Sequence, residues 1–275
     1  GATILYLNPI SKSFSSHRYD TGDYKVPDPM LGTLEDFREM VEAAHERGIK
    51  VILDGVYSHT GSDSLYFNKA GTFPGKKGAY QTQESPYYNW FTFYNWPDSY
   101  NSWWNFDTLP TVNKMDPEFI KYIITDEDSV VAHWLKLGAD GFRLDVADEL
   151  PDKFLDALRF AVKAEKNDAY ILGEVWEDAS NKFSYGQRRK YFQGEELDSV
   201  MNYPLKDAII AYLTTGKVEA LAKVLVEQVH NYPKCVLDNL MNVLSTHDTV
   251  RIITALSGKK VPTDRQSASE FSLQV

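Results

Sequence analysis

The chain has 275 residues, of which 43% are hydrophobic and 25% are charged, and its formal net charge is −10. These values are typical of a globular protein with a sizeable core. The negative charge argues against a nucleic-acid partner, which would favour a basic surface. The single cysteine excludes an intramolecular disulfide framework and a zinc site built from several thiolates.

The sequence does not suggest a membrane partner. No stretch approaches the roughly 20 apolar residues that a membrane-spanning helix needs. The first residues, GATILYLNPI, lack the charged lead and the small-residue cleavage site of a signal peptide. This slightly favours a cytoplasmic location, but the chain need not begin where its gene begins, so secretion stays open.

Strand and helix patterns alternate along the chain. The apolar runs predict strands at residues 2–7, 50–59, 141–146, 169–175, 197–204 and 240–248. The amphipathic periodicity predicts helices at residues 33–48, 117–137, 151–166, 205–230 and 249–256. Such alternation is typical of a parallel sheet with right-handed crossovers. The six expected strands are two fewer than a closed eight-stranded α/β barrel requires.

Residues 60–110 interrupt this alternation. They contain 15 of the chain's 37 Phe, Tyr and Trp residues and show no clear helix or strand period. A connection of this length in a compact domain is usually functional or forms a small subdomain. Its rings either stack on a ligand such as a sugar or form the subdomain's own core, and the sequence favours neither interpretation.

Polar side chains lie at the ends of the predicted strands. These residues are His59, Arg143, Asp145, Glu174, His247 and Asp248. The carboxyl ends of parallel strands meet at one face of a barrel, where active sites lie. Each residue alone has an ordinary explanation, such as a helix N-cap for Asp248. Three carboxylates at one face would repel one another, however, so the joint pattern indicates a functional site.

A metal site and a sugar hydrolase both fit such a cluster. The His-x-His and His-x-x-x-His pairs typical of zinc hydrolases are absent from the sequence. A sugar hydrolase needs one ionised and one protonated carboxyl group beside the glycosidic bond. We expect Arg143, on the same strand face as Asp145, to keep Asp145 ionised, and we expect Glu174 to lack an adjacent cation.

Four segments resemble the signature regions of the α-amylase family, glycoside hydrolase family 13, in the family's order and spacing. They are DGVYSH (54–59), GFRLDVADE (141–149), GEVWED (173–178) and LSTHD (244–248). The segments SSHRYDTGDYKVPDPMLGT and LPTVN further resemble the neopullulanase and cyclomaltodextrinase branch. The resemblance extends over essentially the whole chain.

The resemblance implies a (β/α)₈ barrel with a subdomain inserted after its third strand. Residues 60–110 would be this loop-rich subdomain, and residues 1–59 and 111–275 would belong to the barrel. By the family's plan the chain covers about strands two to seven, so we expect a truncated barrel.

The resemblance also implies the roles of individual residues. Asp145 matches the nucleophile, Glu174 the general acid and base, and Asp248 the third carboxylate, which stabilises the distorted sugar. The sugar-binding positions are matched by Arg143, His59, His247 and Tyr19, with His17 nearby. The implied reaction is retaining hydrolysis of α-1,4-glucans, maltooligosaccharides or cyclomaltodextrins by a double displacement.

Several properties stay open at this point. A transglycosidase, an α-1,6-acting enzyme and a non-catalytic glucan-binding protein are alternatives. The implied chemistry needs no cofactor, and no metal ligands are assigned. The family has Asn before its first-motif histidine, often a calcium ligand in α-amylases, where this chain has Ser58, so a structural calcium ion stays open. The expected partner is an α-glucan oligosaccharide, and the full-length protein could form a homodimer.

Overall fold

The computed structural model describes residues 1–257. The chain divides into two compact units. The first comprises Gly1–Glu174 with Gln193–Asp198, and the second comprises Val175–Phe192 with Ser199–Val275. Within residues 1–257, no helix is long and apolar enough to cross a membrane.

A parallel sheet forms the centre of the first unit. Its first to fourth strands are Ile4–Leu7, Lys50–Gly55, Gly141–Leu144 and Tyr170–Gly173, and each pairs in parallel with the next. Every residue of the third strand is buried. This confirms four predicted strands and the parallel sheet.

Pairing of the third and fourth strands depends on a glycine. Gly141 has a φ of 144°, and a β-carbon there would lie 2.0 Å from the Tyr170 carbonyl oxygen. Because only glycine adopts this backbone conformation without steric cost, it permits the close approach of the two strands.

Helices of the first unit lie between these strands in sequence. Their bounds are Leu34–His45, Pro117–Ile120 continued by the π-helical turn Lys121–Thr125, Val130–Lys136 and Asp152–Glu165. The expected continuous helix at 117–137 is wrong, because the backbone leaves the helix at Asp126 and restarts after Ser129. The Ser129 hydroxyl accepts a hydrogen bond from the Ala132 N–H and caps the second helix. Local bonds of this kind favour a helix end over a continued helix.

Short elements complete the first unit. Antiparallel pairs join Ser11–Lys12 to Asp23–Pro27 and Phe93–Asn95 to Ser99–Tyr100. Single 3₁₀ turns lie at Tyr88–Trp90, Trp103–Asn105 and Ala147–Glu149.

Many rings of the aromatic segment pack on one another. Phe67 is fully buried and its ring centroid lies 4.9 Å from that of Phe91 and 4.7 Å from that of Tyr100. Tyr66 is also fully buried, 5.2 Å from Trp90. These rings therefore form a core for the segment, whereas Trp104, Tyr94 and Phe106 remain exposed.

The second unit is mainly helical. Its elements are the hairpin of Phe183–Ser184 with Gln187–Arg188, the strand Ser199–Val200, and the helices Tyr203–Thr215, Glu219–Asn231, Lys234–Leu237 and Ile252–Ser257. The expected helix at 205–230 is interrupted at Gly216, which caps the first helix in a left-handed conformation with φ 72°.

The expected strand at 240–248 is wrong. Only one parallel bridge forms there, between Met201 and Met241. Beyond it, the Thr246 N–H donates to the Thr249 hydroxyl, and the Asp248 N–H donates to the Thr246 hydroxyl. Hydroxyl groups thus provide a local turn in place of strand pairing.

Asp140, directly before the third strand, connects the sheet to neighbouring helices through its carboxylate contacts. Its buried carboxylate accepts hydrogen bonds from the Val51 N–H at 2.8 Å and Lys166 at 2.6 Å, and it contacts His45 Nε2 at 2.7 Å. Burial acts to raise the pKa of Asp140, but the bonds from Lys166, Val51 and His45 outweigh it and the pKa is lowered. The ionised carboxylate therefore stabilises the fold.

We expect Asp140→Asn to lower the free energy of unfolding by about 2 to 3 kcal/mol at pH 7. A lowered pKa contributes stability above the unfolded-state pKa of about 4, and this contribution is lost as the pH falls through the folded-state value. The difference between the two proteins should thus shrink at pH 3. Urea unfolding at both pH values measures it, and an equal difference at both would contradict the assignment.

Candidate active site

One buried guanidinium lies at the centre of the candidate site. Arg143 is fully buried, and its Nη1 lies 3.0 Å from Asp54 Oδ1 and 2.9 Å from Asp145 Oδ1. Its Nη2 lies 2.9 Å from Glu174 Oε1. Three nearly inaccessible carboxyl groups thus surround a single positive charge.

Strand register explains why these side chains meet. Arg143 in the third strand pairs with Asp54 in the second strand. Asp145 and Glu174 directly follow the third and fourth strands, and their N–H groups bond to the carbonyls of Gly55 and Leu144. The sheet pairing therefore continues to the residues that carry the carboxyl groups.

Two electrostatic expectations are wrong. Glu174 does have an adjacent cation, because Arg143 contacts it directly. The pKa of Asp145 is raised rather than lowered, because burial and the nearby charges of Asp54 and Glu174 outweigh the effect of Arg143. The sequence did not show that the guanidinium of Arg143 contacts three carboxyl groups at once.

A strained residue separates Asp145 from the following turn. Val146 has φ 39° and ψ 56°, a left-handed conformation that is rare for a β-branched side chain. In this conformation its N–H donates to Glu174 Oε2 at 2.8 Å. Glu174 is thus held on one oxygen by Arg143 and on the other by the backbone next to Asp145. Strain of this kind is concentrated at functional sites.

Asp54 and Tyr6 are site residues that the sequence interpretation missed. The Tyr6 and Tyr19 hydroxyls donate to Asp54 Oδ2 at 2.5 Å and 2.9 Å. Asp54 therefore links Tyr19 to Arg143. Its position as the first residue of the segment DGVYSH was the available signal, whereas Tyr6 carries no signal beyond its place in a strand.

His59 is held in one tautomer. Burial lowers its pKa to about 4, although the bond to the Tyr19 carbonyl opposes this. The neutral ring donates from Nε2 to that carbonyl at 3.1 Å, so Nδ1 accepts from the Ser58 hydroxyl at 2.9 Å. His17 lies on the same segment as Tyr19, whose N–H donates to His17 Nδ1, and the two rings are stacked.

The remaining candidates lie in the second unit. His247 Nε2 lies 3.0 Å from Asp248 Oδ2 in the turn described above, and both residues are exposed there. Their approach to Asp145 and Glu174 stays a prediction.

Ser58 places a hydroxyl group at the position where calcium binding was left open. Calcium takes about 6 to 8 oxygen ligands, usually including carboxylates. The Ser58 hydroxyl is buried and bonded to His59. No group of three His, Cys, Asp or Glu side chains in residues 1–257 could hold a metal ion.

Paired carboxyl groups at the carboxyl ends of parallel strands form the type of site that glycosidases use. The chain belongs to the α-amylase family, whose model for the alpha amylase catalytic domain matches residues 1–273.

Curated relatives and solved structures agree with this assignment. The chain is 36% identical to neopullulanase 2 of Thermoactinomyces vulgaris, over 94% of this chain and 42% of the relative. It is 36% identical to a cyclomaltodextrinase of Thermoanaerobacter pseudethanolicus, over 94% of this chain and 43% of the relative. The cyclic alpha-maltosyl-(1→6)-maltose hydrolase from Arthrobacter globiformis superimposes with a TM-score of 0.81 at 31% identity, over 94% and 56% of the two chains. The chain thus spans about half the length of these proteins.

Proposed function

We propose that the protein hydrolyses α-glucosidic bonds in α-1,4-glucans, maltooligosaccharides or cyclomaltodextrins with retention of configuration. The observation that carries this proposal is the placement of Asp145 and Glu174 on one buried guanidinium. The match to the alpha amylase catalytic domain and the names of the relatives support the same substrate class.

In the proposed reaction, Asp145 is the nucleophile and Glu174 is the acid and base. An Asp145 oxygen bonds to the anomeric carbon while the glycosidic C–O bond breaks and Glu174 gives its proton to the leaving oxygen. Glu174 then removes a proton from water, and the water oxygen displaces Asp145 from the anomeric carbon. Asp248 stabilises the distorted sugar and transfers no proton.

The excess negative charge of the cluster favours retention of the proton that this reaction needs. When ionised, Asp54, Asp145 and Glu174 together carry two more negative charges than Arg143 balances. A proton retained within the cluster relieves this repulsion, and such a proton belongs to the coupled group rather than to one residue. Glycosyl transfer then requires this proton on Glu174 and a negative charge on Asp145.

The surrounding residues bind the reacting sugar. Tyr19 offers a ring for stacking, held by its hydroxyl bond to Asp54. His59, His247 and Arg143 provide hydrogen bonds, and His17 borders the same space. Because burial keeps His59 neutral, its contribution should stay constant across neutral pH.

The finer architecture is also part of the proposal. The four parallel strands would be the second to fifth strands of a (β/α)₈ barrel, with residues 60–110 as an inserted subdomain. Packing of the buried rings of this segment on one another supports a subdomain. The absence of a nucleic-acid partner and the homodimer of the full-length protein stay predictions.

We expect calcium removal to leave activity and melting temperature unchanged. The reason is that Ser58 has a hydroxyl group, bonded to His59, where the family has the amide oxygen of Asn. Assays and melting curves with EDTA and with added calcium measure this, and Ser58→Asn is the comparison variant. A fall in either quantity on chelation, reversed by calcium, would contradict the prediction.

Hydrolysis assays test the proposed function. Purified protein should release reducing sugar from maltotriose and a cyclomaltodextrin, and Asp145→Asn protein should not. Pullulan is a useful third substrate, because the similar Arthrobacter enzyme is named for a (1→6)-linked ring. Binding of these sugars without any turnover would contradict the proposal and favour a glucan-binding protein.

A further inference from the structure

Hydrogen-bond donors surround the carboxyl group of Asp54. Arg143 Nη1 lies 3.0 Å from each of its two oxygens. The hydroxyls of Tyr6 and Tyr19 donate to its Oδ2 at 2.5 Å and 2.9 Å. The Asp54 side chain is inaccessible to solvent, so these groups take the place of water. A proton on Asp54 would displace at least one of these donors, and the surroundings therefore favour its ionised form.

Tyr6 contacts both members of the Asp54–Arg143 ion pair. It lies in the first strand opposite Ile52 of the second strand, so Asp54, two residues beyond Ile52, faces the same side of the sheet. The centroid of its ring lies 5.7 Å from the Arg143 guanidinium carbon. Burial and the charge of Asp54 raise the pKa of Tyr6 well above its ordinary value. The hydroxyl therefore keeps its proton and remains a donor at every pH at which the carboxyl groups titrate.

The charged and titratable groups that face Asp54 come from each neighbouring element. They are Tyr6 from the first strand, Tyr19 from the loop of residues 13–22, Tyr57 from the segment after the second strand, and Arg143 and Asp145 from the third strand and its end. Glu174 contacts the other nitrogen of Arg143. Because Arg143 contacts all three carboxyl groups, its charge alone does not decide which of them keeps a proton. The hydroxyls of Tyr6 and Tyr19 favour a negative charge on Asp54, because they donate to that carboxyl group.

We propose that Tyr6 is a positioning residue that keeps Asp54 ionised and thereby leaves the proton of the cluster to Glu174. This inference rests on the proposed function and specifies how the chain places the proton that the leaving oxygen takes. If Asp54 held the proton instead, Glu174 would be ionised and could not act as the acid. Tyr6 transfers no proton itself and acts through Asp54.

The pH dependence of turnover tests the proposal. Tyr6→Phe removes the hydroxyl and keeps the ring. Its kcat on maltotriose should fall about three- to tenfold at pH 7, because the lost bond to a charged group lets Asp54 compete for the proton. The loss should shrink at pH 5, where a second proton enters the cluster and Glu174 is protonated again while Asp145 stays paired with Arg143. KM should change less than about twofold.

Three further proteins separate this role from a merely structural one. Tyr19→Phe, which keeps the stacking ring, should show the same recovery of kcat at acidic pH. Replacement of Tyr6 by 3-fluorotyrosine keeps the hydroxyl and should restore the parent's pH profile. Tyr57→Phe is the matched control, because Tyr57 is also buried near Asp54 but is not one of its hydrogen-bond donors within residues 1–257. An equal loss of kcat at both pH values for Tyr6→Phe, or no loss, would overturn the proposal.

Urea unfolding tests the same inference without turnover. The Tyr6 hydroxyl stabilises the ionised cluster, and this contribution is lost as the pH falls and the cluster gains protons. The urea midpoint of Tyr6→Phe protein should therefore lie below that of the parent by more at pH 7 than at pH 4. If the parent cleaves no glucan but the midpoints behave in this way, the hydrolase assignment fails and Tyr6 is still the residue that keeps Asp54 ionised. An equal difference at both pH values would overturn that role, whether or not the parent is active.

Discussion

Replacing Asp145 by Asn should lower kcat on maltotriose about 10⁴-fold or more, because the variant has no nucleophile to form the glycosyl intermediate. The stability of the fold should not decrease. Burial and neighbouring carboxylates raise the pKa of Asp145, so its ionised form costs stability at neutral pH. A neutral Asn removes that cost, and the melting temperature at pH 7 should hold or rise. Steady-state rates and thermal melts measure both effects.

Asp140→Asn is the matched control, because Asp140 and Asp145 flank the same strand. It should show the opposite pattern, with lower stability and nearly unchanged kcat. Near-normal turnover of the Asp145→Asn protein would show that the assigned roles are wrong even though the fold is right.

Glu174→Gln should lower kcat about 10²- to 10⁴-fold on substrates whose leaving group needs a proton. For the first step with α-maltosyl fluoride, the rate of the Glu174→Gln protein should fall much less, because fluoride departs without protonation. Burst kinetics with this substrate separate the two steps. Glu177 lies three residues after Glu174, is exposed and forms an ion pair with Lys182, so Glu177→Gln is the control and should keep full activity.

Azide provides a further test of the two carboxyl groups. With Glu174→Gln protein, azide should attack the intermediate and give an α-glycosyl azide. With Asp145→Ala protein, azide in the vacated space should attack the α-linked substrate directly and give the β-azide. The same azide anomer from both variants would contradict the separate roles.

Sequence patterns predicted these four strands because they are short, largely apolar runs. Four parallel strands and the helices Leu34–His45 and Asp152–Glu165 follow from periodicity and capping residues. The helix breaks after Thr125 and at Gly216 could not be predicted from periodicity. Each break depends on local hydrogen bonds and backbone angles that compete with a continued helix. The strand expected at 240–248 failed for a similar reason, because Thr246 and Thr249 form a turn there.

The sequence indicated three residues that the structure brings together, but it missed Asp54 and Tyr6 and the electrostatics of the cluster. Arg143, Asp145 and Glu174 could be found from their places at strand ends. Contact of Arg143 with Asp54 depends on the register between two strands that are far apart in sequence, which periodicity does not specify. The strained Val146, whose N–H holds Glu174, likewise follows from tertiary structure. The raised pKa of Asp145 follows from its burial and from the nearby charges of Asp54 and Glu174, which become apparent only in the folded structure.

The configuration of the first product tests the central claim most directly. Maltotriose or a cyclomaltodextrin is added to the purified protein, and the anomeric proton signals are followed by NMR before mutarotation. Two successive displacements at the anomeric carbon, the first by Asp145, predict that the new reducing end is initially α. An initial β signal would contradict a covalent role for Asp145 and indicate a single displacement by water.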